Sequence, residues 1–182
     1  MRIISGNYRG KKITAPSGLP VRPTTDYAKT GLFNILSARY NLKQLKIADL
    51  FSGTGSLTYE FISRGCREVT AVDRDAGCIR FIRKMLEELH APETISAIRG
   101  DALEWLKATG DKFDLIVADP PFTETPAGAI TEMVFSRSIL RNGGLLIIEH
   151  ATGNDLSSLT GYRESRKYGA VTFSFFADGA PD

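Results

Sequence analysis

The sequence predicts an α/β fold built on a mostly parallel, seven-stranded sheet, and three observations predict it. From Lys46 onward short apolar runs alternate with helix-length amphipathic segments, the rhythm of a parallel sheet covered on both faces. Four acids, Asp49, Asp73, Asp101 and Asp119, stand at the carboxyl ends of four successive strand candidates, the edge at which open α/β sheets bind ligands. The tail carries two β-prone runs joined by a turn too short for a crossover, so the last two strands pair antiparallel.

Each element has its own signal. Residues 2–5 and 10–15 flank Gly6-Asn7-Tyr8-Arg9, short β-prone runs around a Gly-Asn turn that read as a hairpin. After a loop at Pro16–Pro20, Thr24 or Thr25 caps a helix running to about Ala38, with Ala28, Leu32, Ile35 and Leu36 on its buried face. Gly31 inside that helix costs about 1 kcal/mol relative to alanine. Strand Ile47–Leu50, helix Ser56–Arg64 ended by Gly65, and strand Glu68–Val72 follow. The helix Asp75–Leu89 places Ile79, Ile82, Leu86 and Leu89 on one stripe. Strand Thr94–Ile98, helix Ala102–Lys107 and strand Phe113–Ala118 come next, then a helix from about Pro126 to Leu140 using Ile130, Met133 and Val134. Asn142-Gly143-Gly144 turns the chain into strand Leu145–Glu149, and Tyr162–Lys167 and Val171–Phe176 form the closing pair around Tyr168-Gly169-Ala170. A boundary near residue 44 separates a leader, residues 1–44, from the alternating body, residues 45–182.

At 182 residues and 42% hydrophobic composition the chain suits one core. The net charge of +2 is uninformative until it is divided. Residues 1–29 hold six cations (Arg2, Arg9, Lys11, Lys12, Arg22, Lys29) against Asp26, a local +5 that leaves −3 for the remainder. A basic leader on a mildly acidic body points to a polyanion handled by the leader. Cys66 and Cys78 lie far apart, and His90 and His150 are isolated from them, so no metal site is expected. The amino terminus has no apolar signal region and no stretch is long enough to span a bilayer, which predicts a cytoplasmic protein.

Two stretches carry the chemistry. Asp119-Pro120-Pro121-Phe122 follows the apolar run Leu115–Ala118, and the paired prolines hold Asp119 and Pro120 extended. A carboxylate, a bare carbonyl and an aromatic face are then presented together, a set suited to a planar base with an exocyclic amine; a proline-rich turn is the other reading. Asp49-Leu50-Phe51-Ser52-Gly53-Thr54-Gly55 joins the first strand to its helix, with glycines that admit close approach of a ligand. Thr58 stands where a dinucleotide site would place its third glycine. Asp73 is placed to accept from ribose hydroxyls, and Asp101 can accept from an adenine amine or cap a helix.

These residues resemble the successive motifs of class I S-adenosylmethionine-dependent methyltransferases acting on exocyclic amines of bases. Arg2-Ile-Ile-Ser-Gly6, Tyr8-Arg9-Gly10-Lys11, Arg22-Pro23-Thr24-Thr25-Asp26, Leu32-Phe33-Asn34-Ile35-Leu36 and the late Ile148-Glu149-His150 are similar to signatures of the RsmD family. The chain departs from that pattern at Lys29-Thr30-Gly31, where the family usually places an Arg-Glu pair and a helix former. The resemblance implies a Rossmann-like methyltransferase fold with an N-terminal extension. It also implies methyl transfer from S-adenosyl-L-methionine to the 2-amino group of a guanine in 16S ribosomal RNA or a small-subunit assembly intermediate, by a monomer. Asp49, Phe51, Gly53, Gly55, Asp73, Arg74, Asp101, Ala102 and Asp119 would hold the cofactor. Asp119, Pro120, Pro121 and Phe122 would hold the base, and Arg2, Tyr8, Arg9, Lys11, Lys12, Arg22 and Thr24 would meet the RNA. The four-residue motif alone also suits an adenine-N6 methyltransferase acting on DNA. A non-catalytic RNA-binding protein that retains the fold is the reading from another class.

Overall fold

The computed structural model describes residues 1–19, 24–121 and 127–179. The leader closes on itself through the bridge between Arg2 and Lys12, with the Ile3 amide donating to the Lys11 carbonyl and the Ile13 amide to the Met1 carbonyl, both at 3.0 Å. The expected hairpin is therefore reduced to one bridge and its flanking hydrogen bonds. Helix α1 (Asp26–Arg39) is capped by Thr25, whose hydroxyl accepts from the Ala28 amide. A 3-10 turn (Leu42–Gln44) leads into the body.

The body runs β1 (Lys46–Leu50), α2 (Ser56–Ser63), β2 (Glu68–Asp73), α3 (Ala76–Glu88), β3 (Ile95–Arg99), α4 (Ala102–Ala108), β4 (Phe113–Ala118), α5 (Ala127–Ser136), β5 (Leu140–Ala151), β6 (Tyr162–Tyr168) and β7 (Val171–Phe176). The seven strands lie in the order β3-β2-β1-β4-β5-β7-β6, parallel through β5 and antiparallel at β7 and β6. This is the architecture the resemblance implies. Strand order reverses beside β1, so a crevice opens between the carboxyl ends of β1 and β4.

Alternate residues of each strand feed opposite faces. Ile47, Val69, Ala71, Leu115, Val117, Ile147 and Phe173 pack under α1, α2 and α3. Ala48, Leu50, Val72, Ile116, Ala118, Leu146 and Ile148 pack under α4 and α5. Ile3, Ile13, Leu32, Phe33 and Leu36 of the leader belong to the first of these clusters. Among the described residues no helix is long and apolar enough to cross a membrane.

Three elements differ from expectation. On α1 the buried face takes in Phe33 and Lys29, while Ile35 is half-buried. The Phe33 ring meets Phe61 edge-on at 4.7 Å and carries the Arg64 guanidinium 4.7 Å from its centre. Helix α5 ends at Ser136 rather than near Leu140, because Ser138 turns to φ 50° and the Ile139 carbonyl accepts from the Phe113 amide. The expected turn Asn142-Gly143-Gly144 lies inside β5 instead. Phe113 pairs with Leu140 and Leu115 with Leu145, so the intervening residues bulge out of the ladder.

Lys29 is 1% exposed and is the structure's main departure from the ordinary rule that helix lysines face water. Its Nζ donates to the Arg2 carbonyl at 2.6 Å and to Ser56 Oγ at 3.4 Å, and stands 3.8 Å from Glu60 Oε2. The fully buried Glu60 also accepts from the Ile4 and Ser5 amides and from Arg64 Nε. Burial lowers the Lys29 pKa and the Glu60 charge opposes that shift. One buried network thus ties the leader to the first turn of α2, directly after the glycine loop.

Candidate active site

A cavity of about 810 Å³ opens along the carboxyl ends of the strands, and it collects most of the residues that the sequence singled out. Asp49, Phe51, Gly53, Asp73, Arg74, Asp101, Ala102, Asp119, Pro120, Pro121 and Thr24 all line it. Gly55 lies immediately behind the lining, between Thr54 and Ser56. Phe122 and Arg22 fall outside the described residues.

The loop after β1 is shaped by its backbone. Phe51 adopts φ 58° without being glycine, a conformation that side chains rarely hold and that clusters at binding sites. Gly55 has φ 83°, and a Cβ there would stand 2.8 Å from Cζ of the Tyr59 ring, so only glycine fits. Gly55 is also the N-cap of α2 and offers no side-chain acceptor. In the first turn of α2 the Thr58 amide is met by the Asp49 carboxylate, and a helix start favours a carboxylate ligand at the amides before it.

Asp73 ends β2. Its Oδ2 accepts from the Gly53 amide and its Oδ1 from the Asp75 amide, both at 2.8 Å. Each oxygen keeps a second lone pair for a hydroxyl donor. Asp101 caps α4, with Oδ1 accepting from the Leu103 and Glu104 amides at 2.9 and 3.0 Å. The helix-cap reading of Asp101 is thus met through Oδ1 alone, and Oδ2 is not used by the cap.

Deeper in, the acids are buried. Asp49 accepts from the Thr58 hydroxyl, and burial pushes its carboxyl up to about 7 against that hydrogen bond. Thr58, which replaces the third glycine of a dinucleotide loop, thus holds the first acid of this one. Burial also raises the Asp119 pKa, and the charges of Glu149 and Asp49 raise it further. Glu149, 5% exposed, is raised by its own burial against a hydrogen bond from Thr24 Oγ1 at 3.0 Å. Among the described residues, six carboxyl side chains and one guanidinium, Arg74, line the cavity. That balance fits a cationic sulfonium cofactor and disfavours the pyrophosphate of a dinucleotide.

The structure brings in residues that the sequence reading left out. Glu149 lies near the end of β5, a fifth strand carrying an acid, and counting that strand with the other four would have found it. Tyr168, expected at the sheet edge, lines the cavity and meets the exposed Tyr27 edge-on at 5.7 Å. It rests on α1 where Gly31 has no side chain: a Cβ there would lie 2.0 Å from the Tyr168 ring. Thr24, expected at the RNA, donates into the cavity to Glu149. Tyr8, expected to meet the RNA, is packed against the core with its hydroxyl donating to the Leu89 carbonyl at 2.6 Å. Arg9 and Lys12 are exposed, Lys11 is half-buried, and Arg2 reaches Asp26 at 3.4 Å.

Comparison with known proteins agrees with this geometry. The chain is 32% identical over 149 residues to ribosomal RNA small subunit methyltransferase D of Buchnera aphidicola, spanning 82% of this chain and 75% of that protein. A solved Escherichia coli structure superposes with a TM-score of 0.85 at 23% identity, over 97% and 96% of the two chains, and shows the fold. The T. thermophilus 16S rRNA N2 methyltransferase RsmC, solved with AdoMet and guanosine, gives a TM-score of 0.68 at 24% identity. That likeness covers 87% of this chain and 45% of RsmC. The family described as conserved hypothetical protein 95 matches residues 1–177, and the chain belongs to this family, the RsmD family.

Proposed function

We propose that the protein transfers the methyl group of S-adenosylmethionine to the 2-amino group of a guanine in 16S ribosomal RNA, in the assembling small subunit. The observation that carries this reading is the shared cavity: Asp119 and Pro120, at the end of β4, open onto the same space as Asp49, Asp73 and Asp101. Family membership supports the substrate class.

The cofactor, when bound, supplies an electrophilic methyl on a sulfonium. Asp73 would hold its ribose hydroxyls and Asp101, through Oδ2, its adenine amine. Gly53, Gly55 and the start of α2 receive its amino-acid portion, with Phe51, Arg74 and Ala102 along the walls. The target base leaves its stack to enter, since a paired amine cannot reach the methyl. Asp119 and the Pro120 carbonyl each accept one amine hydrogen, directing the nitrogen lone pair at the methyl, and Pro121 keeps that exit stiff. Phe122 is proposed to stack on the base, a contact worth about 1–3 kcal/mol. Once methylated, the nitrogen sheds a proton, which Asp119 can take. Arg2, Arg9, Lys11, Lys12 and Arg22, in the leader of residues 1–44, neutralise phosphates. The protein is proposed to act as a cytoplasmic monomer.

A radiolabelled methyl assay offering naked 16S RNA, assembling small subunits and duplex DNA side by side tests the reading. Label in RNA or subunits, mapped to guanine N2, is the expected result. Label in DNA alone would assign the protein to adenine chemistry, and cofactor binding without any transfer would make it a non-catalytic RNA-binding protein.

A further inference from the structure

We propose that Glu149 is the residue that selects guanine, its carboxylate accepting the N1–H of the target base while Asp119 and the Pro120 carbonyl take the 2-amino hydrogens. The proposal rests on the reading above that the cavity receives a purine rotated out of its stack.

Register places the two acids together. Ala118 of β4 and Ile148 of β5 are paired in a parallel ladder, so Asp119 and Glu149 are the next residues on strands about 4.8 Å apart. Both line the cavity, and the charge of Glu149 is felt at Asp119. The Thr24 hydroxyl donates to Glu149 Oε2. Among the described residues the Thr24 hydroxyl is the donor to this carboxylate and no ion pair reaches it; Oε1 is not a buried atom lacking a partner but belongs to a side chain that lines the cavity. An acceptor that lines the cavity with one oxygen unused by the described residues can take a donor brought by the ligand.

Guanine supplies that donor. Its Watson–Crick edge sets N1–H beside the 2-amino group, two adjacent donors facing two adjacent acceptors. Adenine sets an unprotonated N1 beside its amine, and the carboxylate would meet a lone pair there. An unpaired, repulsive contact of this kind rejects the wrong base more strongly than a missing apolar contact does. Thr24, by holding Oε2, orients the carboxylate.

The test uses small subunits assembled from ligated RNA in which the mapped target guanine is kept or replaced by 2-aminopurine. That analogue retains the 2-amino group but carries an unprotonated N1. The full chain is expected to methylate guanine at least about 100-fold more efficiently than 2-aminopurine, by kcat/KM. In Glu149→Gln the amide can donate to N1, so the preference is expected to narrow to within about tenfold. Equal use of both bases by the unaltered protein would overturn the proposal, whatever the variant does. So would a Glu149→Gln variant that slows both bases by one factor, the mark of a purely structural carboxylate. Absence of transfer to guanine subunits by the unaltered protein would instead sink the underlying assignment, and the proposal with it.

Discussion

The Asp73 carboxylate accepts the Gly53 amide hydrogen at 2.8 Å, fastening the loop after β1 to the end of β2. The same side chain, through Oδ1, holds the Asp75 amide at the start of the next turn. One acid therefore shapes the loop, and the proposed function gives the same acid the cofactor's ribose. Asp73→Ala removes charge-assisted hydrogen bonds worth about 1.5–3 kcal/mol. Calorimetric titration should show the S-adenosylmethionine Kd rising roughly 10- to 150-fold, and a Kd within twofold of the original would refute the assignment.

Asp119 carries a different expectation, because the proposed function sets it against the base. Asp119→Ala should lower kcat by about 100- to 1000-fold, the loss typical of removing one aligned polar group from a reacting centre. Cofactor affinity measured in parallel should change by less than about fivefold. Equal losses in both quantities would place Asp119 in the cofactor site instead.

The pH dependence follows from the buried acids. Asp49 is raised to about 7, and Asp119 and Glu149 are raised with it. From the ordinary carboxylate range near 4 up to about 7 for Asp49 and about 8 for Asp119, the folded protein holds protons that the unfolded chain has released. Stability contributed by these groups is then complete below about 4 and is lost as pH rises across that window. The thermal midpoint of the cofactor-free protein should fall between pH 5 and 7.5. Adding S-adenosylmethionine, whose sulfonium offsets the charge, should flatten the slope, and adenosylhomocysteine should flatten it less. Turnover at low cofactor should rise as pH passes through about 8, the value to which burial and the charges of Glu149 and Asp49 raise Asp119, since Asp119 accepts an amine hydrogen only when ionised. A bell centred near pH 5 would contradict this.

Lys29 should be indispensable to folding. Lys29→Met leaves the buried Glu60 with Arg64 as its remaining cation among the described residues. Breaking a buried pair costs about 3–5 kcal/mol, so the midpoint should drop by roughly 6–20 °C. A shift below 3 °C by calorimetry would show the network to be dispensable.

Gly31→Ala tests the seat of Tyr168. The added methyl would stand 2.0 Å from the ring and must displace it. A helix interior ordinarily gains about 1 kcal/mol from this substitution. Here stability should not rise, and the KM for RNA should increase several-fold with the cofactor Kd unchanged. A variant that is more stable and equally active would show that Tyr168 has room to spare.

The legible parts of the fold were those set by local periodicity and by single end signals. Alternating apolar runs located β1 through β4 within a residue or two. Thr25, one of two threonines offered, and Asp101 announced their helices as caps, while Asp75, expected as the first residue of its helix, proved to be the cap. The limits of α5 and β5 were not legible. Asn142-Gly143-Gly144 has the local chemistry of a turn, and only the pairing of Phe113 with Leu140 makes it a bulge within one strand.

By itself the sequence determined the order of strands and helices, the acids at successive strand ends and the Asp-Pro-Pro exit, because these depend on residues close together along the chain. Tertiary structure alone decided that Lys29 is buried on Glu60, that Tyr8 anchors to Leu89, and that Glu149 stands beside Asp119 and takes the Thr24 hydroxyl. Each of those pairs joins residues 30 or more positions apart. A charged or aromatic side chain carries no local sign of whether water or a distant partner will face it, and packing of the sheet and its helices settles the matter.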